Sequence, residues 1–312
     1  ISKKDLATVV AEAYQQVKVM EGGKNADYIP YLANVDSSRF GIALTLPDGS
    51  IIEQGDTEFV FGIESISKVF NAILVLRQWG AEELLLKIGA NATGMPFNSI
   101  IAILLENDQP DTPLVNSGAI SAASMVKPLG NLEAKWAAMM DNMTALCGSE
   151  LMLIDELYKS ETRTNYNNHA IAWLLKNYHK IYDNPELALD LYTRGCSVGI
   201  TTKQLSIAGA TIAFGGKNPI TGMQVFDPTF APKIISLIAT VGFYENTGAW
   251  MYTSGIPAKT GVGTLPGGFG IAAFSPQLDS AGNSVKAQNA IKYIANGLNM
   301  NVFNGNSIEY EK

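Results

Sequence analysis

From about Val69 to Thr240 the chain reads mostly as helix, yet strand patterns stand on both sides of that stretch. Ahead of it, Phe40 to Leu46 is β-like, Pro47-Asp48-Gly49 is a turn signal, and Ile51-Ile52 resumes an extended run, so a hairpin is expected. Behind it, strands are expected at 250–255, 258–262 and 269–275. Leu6, Val9, Val10, Ala13 and Val17 recur at helical spacing and predict an amphipathic N-terminal helix. Asp279-Ser280-Ala281-Gly282-Asn283 turns the chain into a last helix at 284–298. In between, helices are expected at 99–106, 117–127, 131–147, 168–179, 185–193, 203–214 and 231–240, with Pro96, Pro110, Pro113, Pro128, Pro185 and Pro219 as terminators. This order implies an α/β (α+β) fold: an antiparallel sheet flanked by the N- and C-terminal helices, with an all-α subdomain inserted. Residues 1–68 and 244–312 are expected to form the sheet-containing α/β subdomain and residues 69–243 the helical one, with a site in the cleft between them.

Ser65-Ile66-Ser67-Lys68 stands where the extended run Glu58–Ile63 gives way to helix. Positions three apart share a helix face, so Lys68 can touch the Ser65 hydroxyl and take its proton. A serine hydroxyl is a weak nucleophile until a neighbour does so. Taken alone the tetrad also fits an exposed helix turn. Lys259-Thr260-Gly261, on a returning strand, adds to it, because the topology can bring both segments to one cleft. The pair, S-x-x-K then K-T-G, resembles the motif set of penicillin-recognising and β-lactamase-type serine enzymes. Lys68 must be neutral to act as a base, whereas free lysine titrates near ~10.4. Burial and a second cation, with Lys259 as the candidate, are expected to depress it.

Composition narrows the partners. The chain has 312 residues, 47% of them hydrophobic and 16% charged, ample for one large core or two subdomains. A net charge of −7 without a long basic run argues against nucleic acid or an anionic membrane. Ile100–Leu105 is too short to span a bilayer and reads as buried helix. Asp5, Glu12 and Gln15 interrupt the N-terminal segment, so no signal peptide is expected in it. Cys147 and Cys196 read as buried free thiols of a reducing compartment, and a bacterial-type cytoplasmic protein is expected. His169 and His179 do not have the spacing of a zinc pair, and Gly261-Val262-Gly263 and Gly215-Gly216-Lys217 do not match a nucleotide-binding loop.

Several blocks in order carry a closer resemblance. Ala26-Asp27-Tyr28-Ile29-Pro30, Gly55-Asp56, Glu64-Ser65-Ile66-Ser67-Lys68, Pro96-Phe97-Asn98-Ser99 and Val115-Asn116-Ser117-Gly118-Ala119-Ile120 are followed by Ala208-Gly209-Ala210-Thr211, Ile256-Pro257-Ala258-Lys259-Thr260-Gly261-Val262, Phe274-Ser275-Pro276 and Gly282-Asn283-Ser284-Val285. From about residue 20 onward the chain resembles serine-dependent glutaminases of the β-lactamase and penicillin-binding-protein superfamily. The resemblance implies a β-lactamase-like fold and hydrolysis of L-glutamine to L-glutamate and ammonia through a serine acyl-enzyme, with no metal or organic cofactor. It implies Ser65 as nucleophile with Lys68 as its partner, and Tyr28, Asn116, Glu161, Asn168 and Tyr192 as residues that hold substrate. Tyr244 is implied as a proton relay beside the nucleophile, and Val262 as a backbone donor to the oxyanion. A homodimer or homotetramer is implied as well. The chemistry of glutamine suits these residue types. Its ammonium wants an anionic acceptor such as Glu161, and its amide and carboxylate suit the mixed donors and acceptors of Asn116 and Asn168. Either Lys68 or Tyr244 could take the first proton; the working expectation is Lys68, with Tyr244 carrying the proton onward.

Each of these residues also has a plainer reading. Glu161 in Ser160-Glu161-Thr162-Arg163 reads as a solvated loop residue. Asn116 and Asn168 read as helix caps, and Tyr28, Tyr192 and Tyr244 as core tyrosines. Two departures from the family stand out. Many relatives carry Gln before the nucleophile, where Glu64 stands here, and a buried extra carboxylate would push the nearby lysines upward. The stretch between Gly263 and Phe269 is also shorter than in relatives. Either the loop is truly shortened or the sequence closes over omitted residues, and a physical chain break between about Val262 and Pro266, centred on Gly263–Thr264, is expected. A β-lactamase or peptidase is the competing enzyme, for which Glu161-Thr162-Arg163-Thr164-Asn165 mimics a deacylation motif, although S-D-N is missing. A non-catalytic binding module is opposed by the intact Ser65, Lys68 and Lys259.

Overall fold

The computed structural model describes residues 1–105, 107–260 and 268–304, together with the backbone of 262–264. Helix α1 (Lys3–Lys18) opens on a Ser2–Asp5 capping box and buries Leu6, Val10, Ala13 and Val17. After the short α2 (Pro30–Ala33), β1 (Gly41–Thr45) and β2 (Ile51–Gly55) form the expected hairpin, paired from Gly41↔Gly55 to Thr45↔Ile51. Strand β3 (Phe61–Gly62) leads through a 3-10 turn at Glu64–Ile66 into α3 (Ser67–Trp79). Next come α4 (Ala81–Lys87), α5 (Ile100–Leu105), α6 (Asn116–Met125), α7 (Leu132–Cys147), β4 (Met152–Leu153), α8 (Asp155–Thr164) and α9 (Tyr166–Asn177). The middle of the chain ends with α10 (Pro185–Cys196), β5 (Val198–Ile200), α11 (Thr202–Ala213) and α12 (Ala231–Val241). The last part is α13 (Thr247–Ser254), β6 (Ala258–Lys259), β7 (Val262–Thr264), β8 (Gly270–Phe274) and α14 (Val285–Gly297).

The two ends of the chain meet in one antiparallel sheet of order β2-β1-β8-β7-β6. Strand β1 pairs with β8 from Gly41↔Phe274 to Thr45↔Gly270. Helices α1 and α14 cover one face, where Leu6, Val10, Ile42, Leu44, Ile271, Ile291 and Ile294 share a core. The sequence assigned only these terminal helices to the sheet, but α11 covers its other face. Thr45 Oγ1 and Ser206 Oγ lie 2.7 Å apart across that contact. Gly270 permits the approach, since a Cβ there would sit 2.1 Å from the Ser206 carbonyl oxygen and 2.2 Å from the Ala210 nitrogen. Both faces of β1 are therefore closed, and all of it is buried. A second small sheet, β3-β5-β4, belongs to a larger core built mainly from the helices. Phe61 and Phe59 stack on Phe274 of β8, at 3.9 and 5.7 Å between ring centroids, and join the two sheets.

Two expectations are corrected. The strand expected at 250–255 is helix α13. Its β-favouring Trp250 and Tyr252 are overruled by tertiary packing. Trp250 stacks on Phe243 at 4.2 Å and donates to the Ile256 carbonyl at 2.8 Å, and the helix stops at left-handed Gly255. The chain break expected at Gly263–Thr264 is not found either. Strand β7 runs through both residues, with Gly263 opposite Ile271 and Thr264 opposite Gly270. Pro266, at the end of the expected interval, lies outside the described residues. No helix among the described residues is long and apolar enough to cross a membrane.

Candidate active site

A cavity of about 160 Å³ opens where the two cores meet, lined in part by Tyr28, Glu64, Ser65, Phe97, Tyr244 and Phe274. Ser65 reaches it because β3 is pinned to β5, with the Ile63 N–H donating to the Val198 carbonyl at 2.8 Å, just before the chain turns into α3. The neighbours on either side of the hydroxyl are strained. Glu64 and Tyr244 both hold left-handed backbones, φ 50° and 55°. Such conformations cost on the order of 1–3 kcal/mol each and persist only where the surroundings impose them.

Lys68, 1% exposed, donates to Ser65 Oγ at 2.7 Å. Its Nζ stands 5.6 Å from the Tyr192 ring centroid. Burial lowers the affinity of Lys68 for its proton, and the acids Glu64 and Glu161 pull the other way without overcoming it. Glu64 thus acts in the direction expected of an extra carboxylate, but burial wins. Burial first, and Lys68 second, push Lys259 well below the ordinary lysine range, so the two lysines act on one another across the site. Lys259 does not line the main cavity. It borders a small apolar hollow beside Ile66, Val69 and Ile238. Its Nζ lies 3.9 Å from the Tyr244 ring centroid and donates to Gly242 O and Thr260 Oγ1, both at 3.3 Å. The neighbouring Thr260 is the cavity residue, and it donates to Asn283 Oδ1 at 2.9 Å. Tyr244 is buried, which raises its phenol strongly; a bond with Ser65 offsets part of this. It therefore stays a neutral phenol, suited to relay a proton rather than to act as phenolate.

The remaining expected residues fall on the helical side. Tyr192 on α10 donates to Asn116 Oδ1 at 3.1 Å, and Asn116 Nδ2 donates to Asn168 Oδ1 at 2.9 Å. Neither asparagine caps its helix: those positions belong to Val115 and Asn165. Glu161 is not in a loop but on α8, a polar helix whose one buried residue is Leu157. Burial raises the Glu161 carboxyl to about 7, and its neighbours Glu64, Lys68 and Ser197 oppose the rise. Tyr28, at the cavity mouth, keeps much of its surface in solvent; loss of solvent around its phenol, with Glu64 and Glu161 nearby, pushes it up to about 12. Val262 lies on β7 opposite Lys259, which brings its backbone beside the K-T-G segment.

Three participants were not singled out from the sequence. Cys196, read only as a buried thiol, has its Sγ 3.6 Å from the Ser67 hydroxyl, next to Lys68 in sequence. It sits four residues after Tyr192 on α10 and so shares its face, which was the available signal. Phe97 packs on Tyr244 at 5.1 Å between centroids. Thr260 was seen only as the middle of a motif. No group of three or more His, Cys, Asp or Glu among the described residues is placed to hold a metal ion.

The family model for Glutaminase matches residues 23–303. The chain belongs to the glutaminase family. By that membership it is an amidohydrolase. A glutaminase of Bacteroides thetaiotaomicron is 66% identical over 308 residues, covering 97% of this chain and 96% of its own. A solved structure of the probable glutaminase ybaS superposes with a TM-score of 0.96 at 41% identity, covering 98% of this chain and all of that one. Mglu in its glutamate form superposes with a TM-score of 0.90 at 30% identity, covering 96% of this chain and 70% of that one. The β-lactamase-like α/β fold expected from the sequence is the fold of this family.

Proposed function

We propose that this chain hydrolyses L-glutamine to L-glutamate and ammonia through an acyl-enzyme on Ser65. The observation that carries the proposal is the 2.7 Å approach of Lys68 Nζ to Ser65 Oγ at the edge of the cavity. At that distance a neutral Lys68 accepts the hydroxyl proton, and burial favours the neutral amine. Ser65 Oγ then attacks the side-chain carbonyl carbon. Backbone N–H groups of Ser65 and Val262 hold the oxyanion, a single such donor being worth about 3 kcal/mol. Tyr244 passes the proton from Lys68 to the departing nitrogen. The C–N bond breaks, ammonia leaves, and water cleaves the ester to release glutamate and restore Ser65. Glu161 receives the α-ammonium, while Tyr28, Asn116, Asn168 and Tyr192 hold the remaining polar groups. Lys259, beneath the Tyr244 ring, keeps that phenol in place. The chain acts as a homodimer or homotetramer on this small molecule alone. Its two free, buried thiols suit a reducing, cytoplasmic setting. The division into residues 1–68 with 244–312 and residues 69–243, with the site between them, largely follows the two cores; at its seams Phe61, Ile63, Ile66 and Tyr244 pack in the helical core and Phe243 in the sheet core. Ammonia release from L-glutamine, measured for wild type and Ser65→Ala, tests the reading. Hydrolysis of a chromogenic β-lactam with no ammonia from glutamine would overturn it.

A further inference from the structure

We propose that Glu64 is a positioning residue acting through Glu161: the two carboxyls hold one proton between them, and its loss decides when Glu161 carries the charge that anchors the substrate's α-ammonium. The inference deepens the glutaminase reading and rests on it.

The geometry forces the two acids together. The left-handed backbone of Glu64 sets its side chain beside β3. A Cβ on Gly62 would stand 3.0 Å from Glu64 Oε1 and 2.3 Å from Leu157 Cδ2, so the bare glycine lets β3 close on α8, the helix that carries Glu161. Glu161 stands one turn after Leu157 on that helix, which brings its carboxyl to the same spot, and each acid acts on the other's protonation. On each, Oε1 is sealed from solvent with no hydrogen-bond partner. Ionised carboxylates only accept, so two facing carboxyls can bond only when one is protonated. Two buried like charges also repel, which favours a single shared proton, and the titration then belongs to the pair.

Among the described residues, the groups around the pair leave it one cation. Lys68 faces it from α3, Cys196 and Tyr192 from α10, and Tyr28 from the cavity mouth. Burial pushes the Cys196 thiol up to about 12 and the Tyr192 phenol well above its ordinary range, so these stay neutral. Lys68 can balance one carboxylate, not two. While the pair holds its proton its one charge is spread over both acids, and only loss of that proton leaves Glu161 a full carboxylate for the incoming ammonium. The ammonium then offsets the second charge, so the extra carboxylate at Glu64 remains compatible with a neutral Lys68. Burial raises both acids, Glu161 to about 7 and Glu64 well above its ordinary value, as sharing requires.

The test compares steady-state ammonia release by wild type and Glu64→Gln between about pH 5.5 and pH 8.5. Glutamine keeps the side-chain length and donates from its amide to Glu161, so the anchor stays ionised to lower pH. Wild-type KM should rise about tenfold from pH 8 to pH 6, as expected for loss of one ionised acid titrating near 7. In Glu64→Gln the rise over the same interval should be less than about threefold. A variant whose KM follows the wild-type profile would overturn the proposal. A second readout needs no turnover. The infrared band of a protonated carboxylic acid should be present in the substrate-free wild type near pH 6 and lost in Glu64→Gln, where the amide keeps Glu161 ionised. Its absence from wild type overturns the shared proton. If the band behaves as stated but wild type releases no ammonia, the glutaminase reading fails, and the anchoring role with it, while the shared proton stands.

Discussion

Lys68 and Lys135 are both sealed inside the helical core, yet their surroundings differ in kind. Lys135 is paired with Asp183 and donates to the Ser124 carbonyl at 3.1 Å. Asp183 in turn accepts from the Gly130 and Asn184 backbones, each at 2.8 Å. That charge is fully met and ties α7 to the segment before α10. Lys68 meets a serine hydroxyl instead, and Glu64 and Glu161 act on it only through space, with no ion pair to it among the described residues. A buried cation with its counter-ion is structure, whereas one facing a hydroxyl is ready to give up its proton. Length, burial and residue type are the same at both sites, and only the partner separates the roles.

The largest expected effect breaks or secures the Lys68 side of that contrast. Ser65→Ala should lower ammonia release by roughly 10⁴ or more, the scale seen when a serine nucleophile is removed. Folding should be retained, since the hydroxyl is half-buried and little volume is lost. Residual turnover above about one per cent of wild type would be too much for a nucleophile on the scale of these losses, and the role would pass elsewhere.

Exchanging the lysines one at a time sharpens the contrast. Lys68→Met should lower kcat by about 10³, within the range expected for loss of a general base. It should also stabilise the fold, more so as pH falls. The sign follows from proton counting. Unfolded lysine holds its proton up to ~10.4, whereas folded Lys68 gives it up earlier, so the unfolded state binds more protons and native stability falls as pH drops toward the folded value. Methionine removes that liability. Lys135→Met should do the opposite, costing about 3–5 kcal/mol because Asp183 is left charged and unpaired, while kcat/KM of the folded protein is kept. Thermal unfolding and ammonia assays on the two variants check both arms. Equal changes in stability for the two would erase the distinction.

Much of this was legible in the chain because it depends on local pattern. Helical periodicity placed α1, α7, α10, α11 and α14, and the Pro47-Asp48-Gly49 turn placed the hairpin. The spacing of Ser65 and Lys68 alone implies their contact. What stayed hidden depends on contacts distant in sequence. Helix α8 carries one buried residue and so has almost no apolar period, which is why Glu161 read as a loop residue. Trp250 and Tyr252 favour strand, and only the stack on Phe243 decides for helix. The role of α11 on the far face of the sheet left its trace in Gly270, but a glycine in a strand does not say what approaches it. Lys259 belongs here too. The motif marks it, while its position under the Tyr244 ring follows from the fold of α12 and β6.

The smallest expected effect tests the sheet side of the cleft. In Tyr244→Phe the ring that lies 3.9 Å from Lys259 Nζ and 5.1 Å from Phe97 is kept, and only the hydroxyl is lost. The strained turn at Tyr244 is set by its backbone and by Thr247, whose Oγ1 donates to the Tyr244 carbonyl at 2.7 Å, so phenylalanine holds the same conformation. Stability should change by less than about 1 kcal/mol, because burial favours a ring without a hydroxyl to satisfy. If the hydroxyl carries the proton from Lys68 to the departing nitrogen, kcat should fall by about 10². The loss should appear in the ammonia-forming half of the reaction, measured as a slower burst in single-turnover experiments. A variant with wild-type burst rate would leave Tyr244 as packing over Lys259, and Lys68 would then deliver the proton itself.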